Sequence, residues 1–85
     1  MHSLANAKKK VIGLKQSIKA VEKGLVQIVF LAYDADEKIR QSVLKLCKDR
    51  EIQVVESVTM VELGKASGIQ VGTAVAAILE PETTE

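Results

Sequence analysis

Gln27-Ile28-Val29-Phe30-Leu31-Ala32-Tyr33, running into Asp34-Ala35-Asp36-Glu37, is the stretch that decides the fold. Its centre, Ile28 to Ala32, is short, continuous and apolar, with β-branched residues at its start. Such a run predicts a strand buried on both faces, which needs cover on both sides. The acids that follow predict a helix start, because carboxylates favour the positive end of a helix. Glu37 stands three residues after Asp34, the spacing of a capping pair. Ile39, Val43, Leu46 and Cys47 then recur at helical spacing and give the inward face, and Arg50 lies just past the last turn.

The same alternation continues outward. Ile52 to Val55 reads as a second strand. Thr59-Met60-Val61-Glu62 is a hydroxyl followed three residues later by Glu, which predicts a helix from there to Ser67, closed by Gly68. Val71 to Leu79 reads as a strand rich in small residues, with Ala74, Ala76 and Ala77 suited to close packing of helices. Upstream, Leu14, Ile18 and Val21 form one apolar face of a helix from Leu14 to Lys23, and Gly24 stops it. Gly13 separates that helix from Val11-Ile12, and Ser3 to Lys10 reads as a short polar helix. Strands alternating with helices predict an α/β/α sandwich around a sheet of about four strands. The pattern leaves strand order open; pairing of Val11-Ile12 would make the sheet mixed or parallel.

Eighty-five residues fit one domain, expected over residues 1–79, with 80–85 an acidic tail directed into solvent. A domain this small buries only about 60–65% of its unfolded surface. No apolar run reaches the length of a membrane helix, and the first ten residues lack the apolar core of a secretion signal. Cys47 is the single cysteine, so a reducing cytoplasm is the expected compartment. The net charge of +1 hides a division. Residues 1–23 carry six lysines against one acid, +5, whereas residues 24–85 carry six basic groups against ten acids, −4. A one-ended charge of this kind implies an anionic partner on the basic side, or else a merely solvated lysine-rich terminus.

Lys15, Lys19 and Lys23 fall at i, i+4 and i+8, a single stripe on one helix, with Gln16 three residues before Lys19. Gly13 just before the helix allows another backbone to approach, and free amides at a helix start favour phosphate. Phosphate contacts would position a nucleic acid while Lys15 or Gln16 reads base edges. The plainer alternative is an amphipathic helix with a lysine-rich outer face. Val58 and Met60, in the segment Val55 to Met60, either fold back on the core or offer an apolar surface to an unstacked base. Phe30 and Tyr33 are the only aromatics, too few for a sheet that stacks bases on its strands. Chemistry finds little support. His2 is terminal, Cys47 lacks a histidine partner and faces inward, and a helix cap explains Asp34, Asp36 and Glu37 better than a metal. Gly64, Gly68 and Gly72 are too widely spaced for a phosphate loop.

Three stretches carry a resemblance: Gly13-Leu14-Lys15-Gln16-Ser17-Ile18-Lys19, Leu31-Ala32-Tyr33-Asp34-Ala35-Asp36 and Leu63-Gly64-Lys65-Ala66-Ser67-Gly68-Ile69. In order and separation they resemble the ribosomal-protein superfamily named after the large-subunit proteins L-seven-Ae and L-thirty-e, its short bacterial members above all. The resemblance spans about Ala7 to Leu79. It implies a three-layer α/β/α sandwich with a mixed four-stranded sheet. It also implies binding to kink-turn RNA, a sharply bent helix with tandem sheared G·A pairs and a bulged nucleotide. Lys15 and Gln16 stand where the family has Asn and Glu, as in its short bacterial members; Lys19 matches the motif lysine and Gly13 the glycine. Asp34 matches the strand-end Asp, expected to orient the lysine or adjacent groups. The loop covering the bulged base would fall on Val55 to Met60. Glu37 replaces a frequent proline and Met60 a common lysine. The expected RNA-binding set is therefore Gly13, Leu14, Lys15, Gln16, Lys19, Asp34, Glu56, Ser57, Val58, Thr59 and Met60, with Lys10 and Lys65. No cofactor, metal or catalytic residue is expected. The expected partner is ribosomal or riboswitch-like RNA, with the ribosome as a further partner, no membrane, and a monomeric protein. The alternative is a protein-interaction or ribosome-assembly scaffold that does not read the kink-turn itself.

Overall fold

Period-2 alternation in the buried strands sorts their side chains into two cores. In the computed structural model, which describes residues 9–69 and 71–79, the elements run β1 (Lys10–Ile12), α1 (Leu14–Glu22), β2 (Val26–Leu31), α2 (Glu37–Asp49), β3 (Gln53–Val55), α3 (Met60–Ser67) and β4 (Val75–Leu79). The sheet order is β1-β4-β2-β3. β4 runs antiparallel to both neighbours, whereas β2 and β3 are parallel, so the sheet is mixed. On one face, Val29, Leu31, Val75 and Ala77 pack with Ala20 and Val21 of α1 and Val43 and Cys47 of α2. On the other, Ile28, Ala32, Ala76 and Ile78 pack with Leu63 of α3. This is a three-layer sandwich, two helices on one side and one on the other. A register shift between Val26 and Ile28 lets Val26 join the same core as Val29. Each fully buried Val, Leu or Ile contributes about 1.5–3 kcal/mol. Among the described residues no helix is long and apolar enough to cross a membrane.

Several expectations needed correction. Lys10 lies in β1, paired with Ile78, not in a helix; Ser3 to Lys8 and the tail 80–85 fall outside the described residues. The cap of α2 is Asp36, whose side chain accepts the Lys38 amide at 2.8 Å. Asp34 is turned to a different helix, described below. The Thr59–Glu62 capping box and the Gly68 stop stand as read from the sequence. The last strand starts at Val75, not Val71. Residues 71–74 are drawn away by α3: the Thr73 amide donates to the Met60 carbonyl at 3.2 Å.

That loop depends on two close approaches. Gly64 is buried on α3, and a Cβ there would fall on the Val71 carbonyl oxygen and 3.1 Å from Gly72 Cα. A Cβ on Gly72 would lie 3.2 Å from the Met60 carbonyl group. Gly64→Ala should therefore lower stability: overpacking costs about 1–3 kcal/mol, against at most ~1 kcal/mol gained in helix propensity. Thermal unfolding should show a drop of several degrees, and an unchanged or higher midpoint would mean that the loop does not press on α3.

Candidate nucleic-acid interface

One end of the sheet gathers most of the expected site through backbone hydrogen bonds. The Gly13 amide, just past β1, donates to the Val75 carbonyl at 2.9 Å. The Ala32 amide, just past β2, donates to the Ala74 carbonyl at 2.9 Å, and the next amide, Tyr33, donates to the Val58 carbonyl at 2.9 Å. The ends of β1, β2 and β3 and the start of β4 thus form one continuous rim. Parallel pairing of β2 and β3 and antiparallel pairing of β4 put them there.

The start of α1 lies on this rim and differs from the other helix starts. α2 and α3 have side-chain caps and an acid in the first turn; α1 has neither. Its N-cap is Gly13 at φ 105°, a conformation that favours glycine. A Cβ on Gly13 would sit 2.9 Å from Gln16 Oε1, so its absence leaves room for the glutamine head to fold over the helix start. Among the described residues no side chain caps the start of α1, and helix polarity favours an anion before its first-turn amides. Lys15 and Gln16 are exposed beside them and Lys19 is exposed one turn further on, in the last turn of α1, whereas Leu14 is half-buried against the core. Leu14 therefore anchors the helix and can offer a ligand little beyond its backbone.

The second part is the loop from Glu56 to Thr59. Asp34 Oδ1 accepts the Met60 amide at 2.8 Å, tying the end of β2 to the start of α3. Asp34, expected to orient the motif lysine or adjacent groups, thus holds the start of α3. Thr59 and Glu62 complete the reciprocal cap. Glu56 is engaged by Arg40 of α2 at 2.8 Å, and Ser57 is exposed. Val58 and Met60 fold back, half-buried against the α3-side core. The apolar surface near the loop comes instead from Val61 and Val71, 59% and 73% exposed, and Tyr33 is 54% exposed on the rim. Sequence reasoning missed all three. The signal for Val71 was its place between Gly68 and Gly72, which marks a loop. Two expected residues lie off the rim: Lys10 is three residues down β1, about 10 Å away, and Lys65 is in the last turn of α3.

The three acids at the end of β2 go separate ways: Asp34 to Met60, Asp36 to the α2 cap, and Glu37 to Gln41 at 3.1 Å. Cys47 is buried, and burial pushes its thiol pKa up, which disfavours the nucleophilic thiolate.

Residues 2–85 match the family described as the Ribosomal protein L7Ae/L30e/S12e/Gadd45 family. The chain belongs to this family. It is 37% identical over 76 residues to an "RNA-binding protein" of Bacillus pumilus, covering 89% of this chain and 93% of that relative. It is 42% identical over 73 residues to "RNA-binding protein YbxF" of Geobacillus stearothermophilus, covering 86% and 89%. Among solved structures it is similar to a Giardia lamblia 15.5kD RNA binding protein, with TM-score 0.82 and 28% identity over 93% of this chain and 67% of that one. A Bacillus halodurans protein matches with TM-score 0.81 and 28% identity over 91% and 77%.

In this member of the L7Ae/L30e family Asp34 ties the end of β2 to the start of α3. Replacing a helix-capping acceptor by Ala costs about 0.5–2 kcal/mol. Asp34→Ala should lower stability by that amount in urea unfolding, while Asp34→Asn, which keeps an acceptor oxygen, should retain most of it. Equal losses in both variants would mean that charge, not the hydrogen bond to Met60, is what matters.

Proposed function

We propose that this chain is a non-catalytic RNA-binding protein that recognises and stabilises a kink-turn with tandem sheared G·A pairs. The observation that carries this reading is the juxtaposition, on one rim, of the uncapped start of α1 with exposed Lys15, Gln16 and Lys19 and a tied-down loop flanked by exposed Val61 and Val71. Membership of a family whose relatives are named RNA-binding proteins supports it.

The roles follow from the chemistry. The first-turn amides of α1, with Lys15 and Lys19, would hold phosphates. Gln16 carries both a donor and an acceptor and would meet the purine edges of the sheared pairs. Gly13 lets the RNA come close. Val58 and Met60 back the loop from the core side, and Val71, with Val61, would cover the bulged base. Asp34 keeps these parts in register. Lys10 and Lys65 lie outside this contact set and would add attraction at longer range. A rigid rim of this shape binds the bent RNA more tightly than the extended form and shifts its population towards the bend. No metal or cofactor on the protein enters this mechanism. The chain would act as a monomer in a cytoplasmic ribonucleoprotein, on ribosomal or riboswitch-like RNA.

The decisive titration compares a kink-turn stem with a stem whose tandem G·A pairs are replaced by Watson–Crick pairs. Tight binding to the first and weak, salt-sensitive binding to the second is the expected result. Equal binding to both would leave only general attraction and bring the scaffold alternative forward. Lys19→Ala should weaken binding to the kink-turn by about 1–3 kcal/mol. It should also reduce the slope of log K against log salt by about 1, as loss of one phosphate contact requires. An equally tight complex would remove Lys19 from the interface.

A further inference from the structure

We propose that Tyr33 is a stacking platform for one unpaired nucleobase of the bound RNA. The inference rests on the RNA-binding reading above and adds a contact that the expected site did not contain. Tyr33 is the chain's only tyrosine, and there is no tryptophan. The other aromatic, Phe30, is half-buried beside the α3-side core, whereas Tyr33 is 54% exposed.

A lone exposed apolar residue is ordinary. Tyr33 is distinguished by its mounting and its neighbours. Its amide is fixed to the Val58 carbonyl at 2.9 Å, and the next residue, Asp34, is fixed to the Met60 amide at 2.8 Å. Ala32 before it is fully buried. The ring therefore projects from backbone held on both sides, and a tyrosine so held loses little conformational entropy when it makes a contact. The described residues expose four large apolar side chains, Leu25, Tyr33, Val61 and Val71. Three of them, all but Leu25, surround the rim that also carries the start of α1. Sheet order puts β4 between β1 and β2, so Tyr33 stands two strand spacings, about 10 Å, from Gly13. One RNA can touch both. An aromatic face offers a base a π surface that needs no particular base identity and no charge.

The absence of tryptophan makes Tyr33 its own reporter, because its emission is not masked. The full chain would be titrated with the kink-turn stem, the Watson–Crick control stem, and a kink-turn stem whose bulged nucleotide is abasic. Tyr33 emission should fall as the kink-turn complex forms. Tyr33→Ala should weaken that complex by about 5- to 100-fold, and Tyr33→Phe, which keeps the ring, should stay within about twofold. The salt slope of Tyr33→Ala should match that of the parent chain, because stacking releases no counterions. Its thermal midpoint should be unchanged, which separates a contact from a support of the fold. If the abasic stem still quenches, the stacked base is another unpaired one and the platform stands.

Emission unchanged at saturation, or a Tyr33→Ala chain that binds as tightly as the parent, would overturn the proposal while leaving kink-turn recognition intact. Equal binding of the parent to kink-turn and control stems, with emission still falling, would instead sink kink-turn specificity and keep the stacking role. Binding to no RNA would remove both.

Discussion

Everything in this molecule depends on the burial of the β2–β4 pair between two layers of helices. Val29, Leu31, Val75, Ala76 and Ala77 have essentially no exposed surface. Their amides and carbonyls are satisfied by the sheet, and their side chains supply both cores. Two central strands so enclosed can have no free edge of their own, and β1 and β3 take the outer positions. Small residues in β4 let the helices close in. The rim is a by-product of this arrangement: where the strands end together, the chain must turn, and the turns are held by hydrogen bonds from one strand end to the next.

The rim combines groups from distant parts of the chain. Gly13 and Gln16 come from the first helix, Asp34 from the end of β2, Val58 from the loop after β3, and Val71 from the loop before β4. They are tied together by backbone hydrogen bonds and by the Asp34 carboxylate, and Glu56 of the loop after β3 is held by Arg40. A surface already held in place loses less entropy on meeting a partner than a mobile one. Electrostatics sets the outer part of the same surface: lysines along α1 give an attraction that reaches beyond contact distance, and uncapped amides give it direction.

Much of this was legible in the residues. Apolar spacing placed α1, the buried strand and the inward face of α2, and the Thr59–Glu62 pair marked the start of α3. The lysine stripe and Gly13 marked the start of α1, which the structure leaves without a side-chain cap, as a candidate. Other features were misread for definite physical reasons. Asp34 and Asp36 are both good caps, and local spacing could not say that Asp34 would serve α3 across the chain while Asp36 served α2. Val71 to Ala74 has the composition of a strand, but the close approach of Gly64 and Gly72 gives its polar groups a partner in α3 instead. Val58 and Met60 suit an exposed contact as well as a core, and only packing against Leu63 and its neighbours decides between the two.

The sequence by itself determined the alternation of elements, the double burial of β2, the charge division and the bare start of α1. These are local properties, written in periodicity, capping chemistry and the sign of side chains. Tertiary structure alone decided the strand order, the partner of Asp34, and which apolar side chains remain in solvent: Tyr33, Val61 and Val71 on the rim, not Val58 and Met60. Each of these is a competition among groups far apart in the chain for one hydrogen bond or one place in a core. Such competitions are settled only when the layers close and buried polar groups must find partners.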